Sequence, residues 1–163
     1  MLIGIMADSH DNLPKIEKAV DFFNKRKVSL VLHAGDFVAP FVGEKLKNLT
    51  CPLIGVFGNN DGEKRGLINK IASIGGKIYS SPHSFTYAGK RILLLHDPAR
   101  LKDMDISSFQ LVIYGHTHRE EVKKQGNTLF VNPGECGGWL TGRSTVALID
   151  LENMKAEIKE LCS

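Results

Sequence analysis

Cysteine is scarce in this chain of 163 residues, and its spacing excludes two kinds of small domain. The three cysteines, Cys51, Cys136 and Cys162, are widely separated, and no CxxC pair occurs. A zinc ribbon or a disulfide framework requires paired cysteines at characteristic spacings. We therefore expect three free thiols that neither bind a structural metal nor form bridges.

Long apolar runs are also missing. No segment approaches the roughly 20 consecutive apolar residues that a membrane-spanning helix needs. The first apolar run is interrupted by Asp8, His10 and Asp11, so it does not resemble a secretory signal. We expect a cytoplasmic protein with no membrane partner.

Neither positively nor negatively charged residues are in large excess. The chain has 21 Lys and Arg against 18 Asp and Glu, a net charge of +3. Its basic clusters, 25–27 and 123–124, are short, and no aromatic stacking face accompanies them, so we do not expect a nucleic-acid partner. The ordinary composition excludes a disordered tail, a collagen-like fibre and a coiled coil. The length fits one domain over residues 1–163.

Hydrophobic periodicity predicts alternating strands and helices in the first half and hairpins in the second. The predicted strands of the first half are 2–7, 28–32 and 53–57, and the predicted helices are 14–25, 41–49 and 67–74. In the second half, hairpins are predicted at 85–95, 121–131 and 146–161, with a further strand at 111–114. We expect an α/β fold with two packed sheets and outer helices, its second half antiparallel.

Polar side chains follow five of these strands at the point where each strand ends. They are Asp8 and His10, Asp36, Asn59, His96, and His116 and His118. The carboxyl ends of parallel strands meet at one edge of a sheet, where ligands bind, so these seven side chains are expected to share one cleft. Glycines beside three of the ends, Gly35, Gly58 and Gly115, permit tight turns there.

This set of side chains predicts a metal site. Two carboxylates are costly to bury together unless cations neutralise them. Imidazole, carboxylate and amide donors suit Mn²⁺, Fe²⁺, Ni²⁺ or Zn²⁺. Seven donors exceed the need of one tetrahedral ion but suit two ions that share a carboxylate, an arrangement that recurs in phosphoester hydrolysis.

The ordered series Asp8-x-His10, Gly35-Asp36, Gly58-Asn59-x-Asp61, His96 and Gly115-His116-x-His118 resembles the calcineurin-like metallophosphoesterase superfamily. The stretch Asn132-Pro133-Gly134-Glu135 is most similar to its small bacterial and archaeal phosphodiesterases. The resemblance covers essentially the whole chain. It implies a four-layer α/β/β/α sandwich of two mixed β-sheets flanked by helices, with a dinuclear centre at the strand ends.

The resemblance also implies two ligand sets. The first metal would be held by Asp8, His10, Asp36 and His118, and the second by Asp36, Asn59, His96 and His116. A hydroxide bridging the ions would attack a small phosphodiester, whose identity the sequence leaves open. Mn²⁺ is the first choice of metal, with Ni²⁺, Fe²⁺ and Zn²⁺ as alternatives. Small relatives commonly self-associate, which leaves a dimer or a tetramer open.

Two positions depart from the family pattern. Many relatives have a histidine at the position of Asn60, where it protonates the leaving group; asparagine cannot titrate, so help worth about 10²–10⁴-fold is expected to be missing. Asp97 follows His96 where glycine is common, and it either adds a carboxylate near the second metal or points to solvent. Asn60 and Asp61 are both candidate catalytic residues, Asp61 as an orienting group or as the cap of the next helix.

Other interpretations stand beside this one. A binding scaffold could keep the fold, as the retromer subunit of this architecture does, but such scaffolds lose some metal ligands and every position is filled here. A nuclease for single strands is a minor variant, since no stacking face is present. His33 is expected to be packed and hydrogen-bonded in preference to supporting a ligand.

Overall fold

The first sheet has six strands, four of them parallel. The computed structural model describes residues 1–162. In spatial order the strands are β11 (Lys155–Glu160), β10 (Thr145–Asp150), β1 (Leu2–Met6), β2 (Val31–His33), β3 (Leu53–Val56) and β4 (Lys77–Tyr79). Strands β1 to β4 run parallel, and β10 pairs antiparallel with both β1 and β11. The short strand β4 was not predicted from the sequence.

The second sheet has five strands and is also mixed. Its order is β5 (His83–Tyr87), β6 (Lys90–Leu94), β7 (Leu111–Ile113), β9 (Thr128–Pro133) and β8 (Glu120–Gln125). The three predicted hairpins form, β5–β6, β8–β9 and β10–β11. However, β6 and β7 pair parallel, as do β7 and β9, so the prediction of an antiparallel second half is wrong. A hairpin turn specifies the pairing of only the two strands that flank it. No such turn connects β6 with β7 or β7 with β9, so their pairing leaves no local signal in the sequence.

The helices cover the outer face of the first sheet. Helix α1 (Leu13–Lys25) begins where Asn12 accepts a hydrogen bond from the backbone N–H of Lys15. Its apolar residues at spacings of three and four, Ile16, Val20 and Phe23, are buried. Helix α2 (Gly43–Leu46) follows a single 3-10 turn, and α3 (Lys64–Ser73) ends just before Gly75, which has φ of +82°.

Three apolar layers fill the molecule. One lies between the helices and the first sheet, one between the two sheets, and one on the outer face of the second sheet. The last is covered by a 3-10 helix, Pro98–Asp103, and its neighbouring loop, which contribute Leu101, Met104 and Ile106. This confirms the predicted α/β class of two mixed sheets flanked by helices.

The topology brings five strand ends to one edge of the sandwich. Strands β1, β2 and β3 are parallel neighbours in the first sheet, and β6 and β7 are parallel neighbours in the second. Their carboxyl ends therefore open on the same side of the fold. Within residues 1–162, no helix is both long and apolar enough to span a bilayer.

Candidate metal centre

The seven polar side chains predicted from the sequence lie together at this edge. Around Asp8, the Nε2 atoms of His10 and His118 lie 3.8 Å and 3.6 Å from Oδ1. His10 Nε2 also lies 3.3 Å from Asp36 Oδ2. These four residues, Asp8, His10, Asp36 and His118, are called the first set below.

Asp36 also faces a second group of donors. Its Oδ2 lies 3.4 Å from His96 Nε2. His96 Nε2 is 2.8 Å from Asn59 Oδ1, which is 3.1 Å from His116 Nδ1. Asp36, Asn59, His96 and His116 are called the second set, and Asp36 belongs to both.

The backbone is strained at five of the seven positions. Asp8, His10, Asp36, His116 and His118 have φ of +49°, +40°, +62°, +69° and +59°. Residues other than glycine rarely adopt positive φ, and such strain concentrates at functional sites. Hydrogen bonds between the loops hold this conformation, including those from the N–H of His10 to the carbonyl of Asp36, at 3.1 Å, and from the N–H of His116 to Asp8 Oδ2, at 3.0 Å.

Two glycines allow the loops to approach the carboxylates. A Cβ atom at Gly58 would lie 2.1 Å from Asp36 Oδ1, and one at Gly115 would lie 2.8 Å from Asp8 Oδ2. Either contact is far inside van der Waals distance. The close packing of the site therefore requires glycine at both positions.

The donor atoms fit divalent cations. Asp8 Oδ1 and His10 Nε2 are buried, yet neither makes a hydrogen bond among residues 1–162, since the 3.3 Å approach of His10 Nε2 to Asp36 Oδ2 is an ion-pair contact without hydrogen-bond geometry. Unpartnered buried polar atoms are costly and rare in folded proteins. One ligand atom each from Asp8, His10 and His118, and likewise from Asp8, Asp36 and His96, lie within 4.8 Å of one another. A cation among these atoms would satisfy the orphaned pair.

The charges in the site are strongly coupled. Burial raises the pKa of Asp36, but His10, His96 and the N–H of Asn60 outweigh it and hold that pKa well below its usual range. The carboxylates of Asp36 and Asp8 raise the pKa of His10 to about 10, against the opposing effect of burial. The Asp36 carboxylate thus remains ionised and attracts positive charge.

Asp61 organises the loops and does not cap a helix. Its Oδ2 accepts hydrogen bonds from the N–H of Asp36, at 3.0 Å, and of Gly58, at 2.7 Å, and its Oδ1 accepts from Val38 at 2.7 Å. The residue before α3 is Glu63, and α3 has no side-chain cap. The helix-cap alternative is therefore wrong, and Asp61 fixes the loops that carry Asp36 and Asn59.

We expect Asp61→Ala to lower the free energy of unfolding by about 3 kcal/mol, because three N–H groups lose their acceptor in a buried place. Urea unfolding followed by circular dichroism measures the change. Asp105→Ala is the matched control, since Asp105 is exposed and accepts a single N–H from Ser107. Equal stability of the two variants would contradict this role of Asp61.

Asn60 lies at the rim of the site. Its backbone N–H and its side-chain Nδ2 donate to the two oxygens of Asp36, each at 2.9 Å. Asn60 is exposed to solvent at this rim.

Glu135 is a residue of the site to which the sequence assigned no role. It is fully buried, and its Oε2 lies 2.9 Å from Nδ1 of His118, whose Nε2 faces Asp8. Its oxygens also accept the N–H groups of Trp139, Leu140 and Thr141. Glu135 therefore orients the His118 ring and orders the adjacent loop. The only sequence signal was its place in the Asn132–Glu135 stretch.

His33 is fully buried, stacks on Phe37 at 3.6 Å between ring centroids, and accepts the N–H of Gly35 on Nδ1. Burial lowers the pKa of His33 to about 3, so the ring is neutral and packed, as expected.

Asp97 accepts the N–H of Ala99 and caps the 3-10 helix. Trp139 is 64% exposed, and its Nε1–H donates to the carbonyl of His10 at the edge of the cleft.

Comparisons with known proteins agree with the motifs. The family profile described as the calcineurin-like phosphoesterase superfamily domain matches residues 1–154. A phosphodiesterase of Methanocaldococcus jannaschii is 39% identical over 165 residues, which cover 99% of this chain and 98% of that protein. The structure of an archaeal phosphodiesterase superposes with a TM-score of 0.93 at 37% identity, covering 99% of this chain and 100% of that one. Vacuolar protein sorting-associated protein 29 of Schizosaccharomyces pombe is 28% identical over 148 residues, covering 85% of this chain and 73% of that protein.

Proposed function

The chain belongs to the calcineurin-like phosphoesterase superfamily, and on that basis we propose that it is a metal-dependent phosphodiesterase. The observation that carries the proposal is the pair Asp8 Oδ1 and His10 Nε2, two buried atoms without hydrogen bonds that belong to the seven converging donors. Packing alone does not account for two buried polar atoms without hydrogen-bond partners, because such atoms are rare in folded proteins.

In this proposal the first set holds one divalent ion and the second set holds another, with Asp36 shared. Mn²⁺ is the first choice, and Ni²⁺, Fe²⁺ and Zn²⁺ suit the same nitrogen and oxygen donors. Such a pair of ions supplies an activated water and offsets the negative charge of the phosphate.

The protein's own residues hold the site in place. Glu135 orients His118, and Asp61 fixes the loops that carry Asp36 and Asn59. Asn60 binds the shared carboxylate and offers a hydrogen-bond donor at the rim. Because Asn60 cannot give up a proton, the site favours diesters whose leaving groups depart without protonation.

The test of the proposal is hydrolysis of bis-p-nitrophenyl phosphate by the purified protein. We expect turnover that Mn²⁺ or Ni²⁺ stimulates and that chelation abolishes. A protein that stays inert with each of Mn²⁺, Ni²⁺, Fe²⁺ and Zn²⁺ would contradict the enzyme and favour a scaffold of the same fold.

Asn60→His is expected to restore a general acid at the rim. The turnover of phenyl phosphate relative to p-nitrophenyl phosphate should rise about tenfold or more, since an acid contributes about 10²–10⁴-fold for a poor leaving group and little for p-nitrophenolate. The measurement compares these two monoesters, with Asn60→Gln as the control that cannot titrate. An unchanged ratio in Asn60→His would rule out the missing-acid explanation.

A further inference from the structure

A cavity of about 290 Å³ opens directly beside the second set. Three of its lining residues, Asn59, His96 and His116, belong to that set. A second, larger groove of about 890 Å³ lies on the outer face of the second sheet, and none of the seven donors lines it. The smaller cavity is thus the one that continues the cleft past the second set.

Two cations line this cavity. Lys64 is the first residue of α3, and Arg100 lies in the 3-10 helix Pro98–Asp103. Among residues 1–162, neither has a carboxylate within 4 Å, whereas Lys45, Lys47 and Lys70 each form such a pair. The charge of both residues is therefore available to a ligand.

The surroundings fix these cations and add neutral donors. Nη1 of Arg100 donates to the carbonyl of Ser81 at 2.8 Å, which holds the guanidinium at the cavity wall. Nζ of Lys64 lies 5.4 Å from the centre of the Phe57 ring. The hydroxyl of Ser81 accepts the N–H of His96 at 3.0 Å, which leaves its own proton free to donate. The one carboxylate of the lining belongs to Asp97, whose Oδ1 accepts a hydrogen bond from the N–H of Ala99.

From this arrangement we propose that the cavity binds a second phosphate group of the substrate, next to the phosphodiester that is cleaved. This inference rests on the proposed function and names its substrate class: a phosphodiester that carries an additional phosphate on one of its ester groups. A guanidinium, an ammonium and a hydroxyl line this one cavity, and all three are donors that recognise phosphate. The volume lies at the lower end of ligand pockets, which suits one part of a substrate.

The test compares two ligands that differ by one phosphate. Thymidine 3′,5′-bisphosphate and thymidine 5′-phosphate are titrated into the Mn²⁺-loaded protein and followed by calorimetry. We expect the bisphosphate to bind at least about tenfold more tightly, because its second phosphate would accept charge-assisted hydrogen bonds.

Lys64→Ala and Arg100→Ala should each lower this preference several-fold, and the double variant should remove it. The control is Lys25→Ala at the C-terminal end of α1, which does not line the cavity and should keep the full preference.

Two results would overturn the inference. One is equal affinity of the wild-type protein for both ligands. The other is an equal loss of affinity for both ligands in the Lys64 and Arg100 variants, which would place these cations on the cleaved phosphate itself. Failure of the proposed function is recognised separately, by the absence of any hydrolysis of bis-p-nitrophenyl phosphate with every metal, since the binding comparison requires no turnover.

Discussion

Asp36→Asn is expected to reduce the turnover of bis-p-nitrophenyl phosphate by at least about 10³-fold, equivalent to several kcal/mol of transition-state stabilisation. Asp36 is the one carboxylate shared by both sets, 3.3 Å from His10 Nε2 and 3.4 Å from His96 Nε2. Its replacement removes the negative charge that lies between the two sites and turns one of its oxygens into a donor that repels a cation.

The asparagine is nearly isosteric, so the loss should not come from unfolding. Asp36 is 1% exposed, and one of its oxygens accepts the backbone N–H of Asn60, a bond that an amide oxygen can keep. Urea unfolding of the variant checks this directly. Asp21→Asn, on the exposed surface of α1, is the control for a charge lost elsewhere. Turnover of Asp36→Asn equal to that of the control would contradict the role of Asp36 as the ligand shared by both metal ions.

Glu135→Gln should weaken the binding of one metal ion by about 10–100-fold, the usual effect of replacing a group that orients a ligand. Oε2 of Glu135 lies 2.9 Å from His118 Nδ1, and this contact fixes the ring with Nε2 facing Asp8. A neutral amide holds that ring orientation less strongly, because its hydrogen bond to the ring is no longer charge-assisted. Calorimetric titration of the metal-free protein with Mn²⁺ measures the affinity of each site.

The same titration separates positioning from structural support. A loss of stability alone would affect both ions equally, whereas an effect through His118 affects only the first set. Glu160→Gln, exposed on β11, controls for the loss of a negative charge. Unchanged affinity of both sites in Glu135→Gln would show that the contact with His118 does not influence metal binding.

The sequence predicted that the seven donors converge, but it did not predict the residues that hold them in place. Each of the seven donors follows an apolar strand, and the parallel order of β1, β2 and β3 and of β6 and β7 brings these strand ends together. That convergence follows from the general geometry of α/β sheets. The resemblance predicted the family, which the family profile confirms.

The contacts that support the donors could not be predicted, because they join side chains and N–H groups of different loops. Glu135 contacts His118 just beyond the paired ends of β8 and β9, and Asp61 reaches back to the N–H groups of Asp36 and Val38. Neither carboxylate carries a local pattern beyond its own loop. The parallel pairing of β7 with β9 was missed for the same reason, since hairpin turns specify only their own two strands.

The most direct test is anomalous diffraction from crystals of the protein grown with Mn²⁺, with data collected near the manganese edge. The account predicts two peaks per chain, one contacted by Asp8, His10, Asp36 and His118 and the other by Asp36, Asn59, His96 and His116. A map with no peak at these side chains, or with the only peaks at other places on the surface, would contradict it.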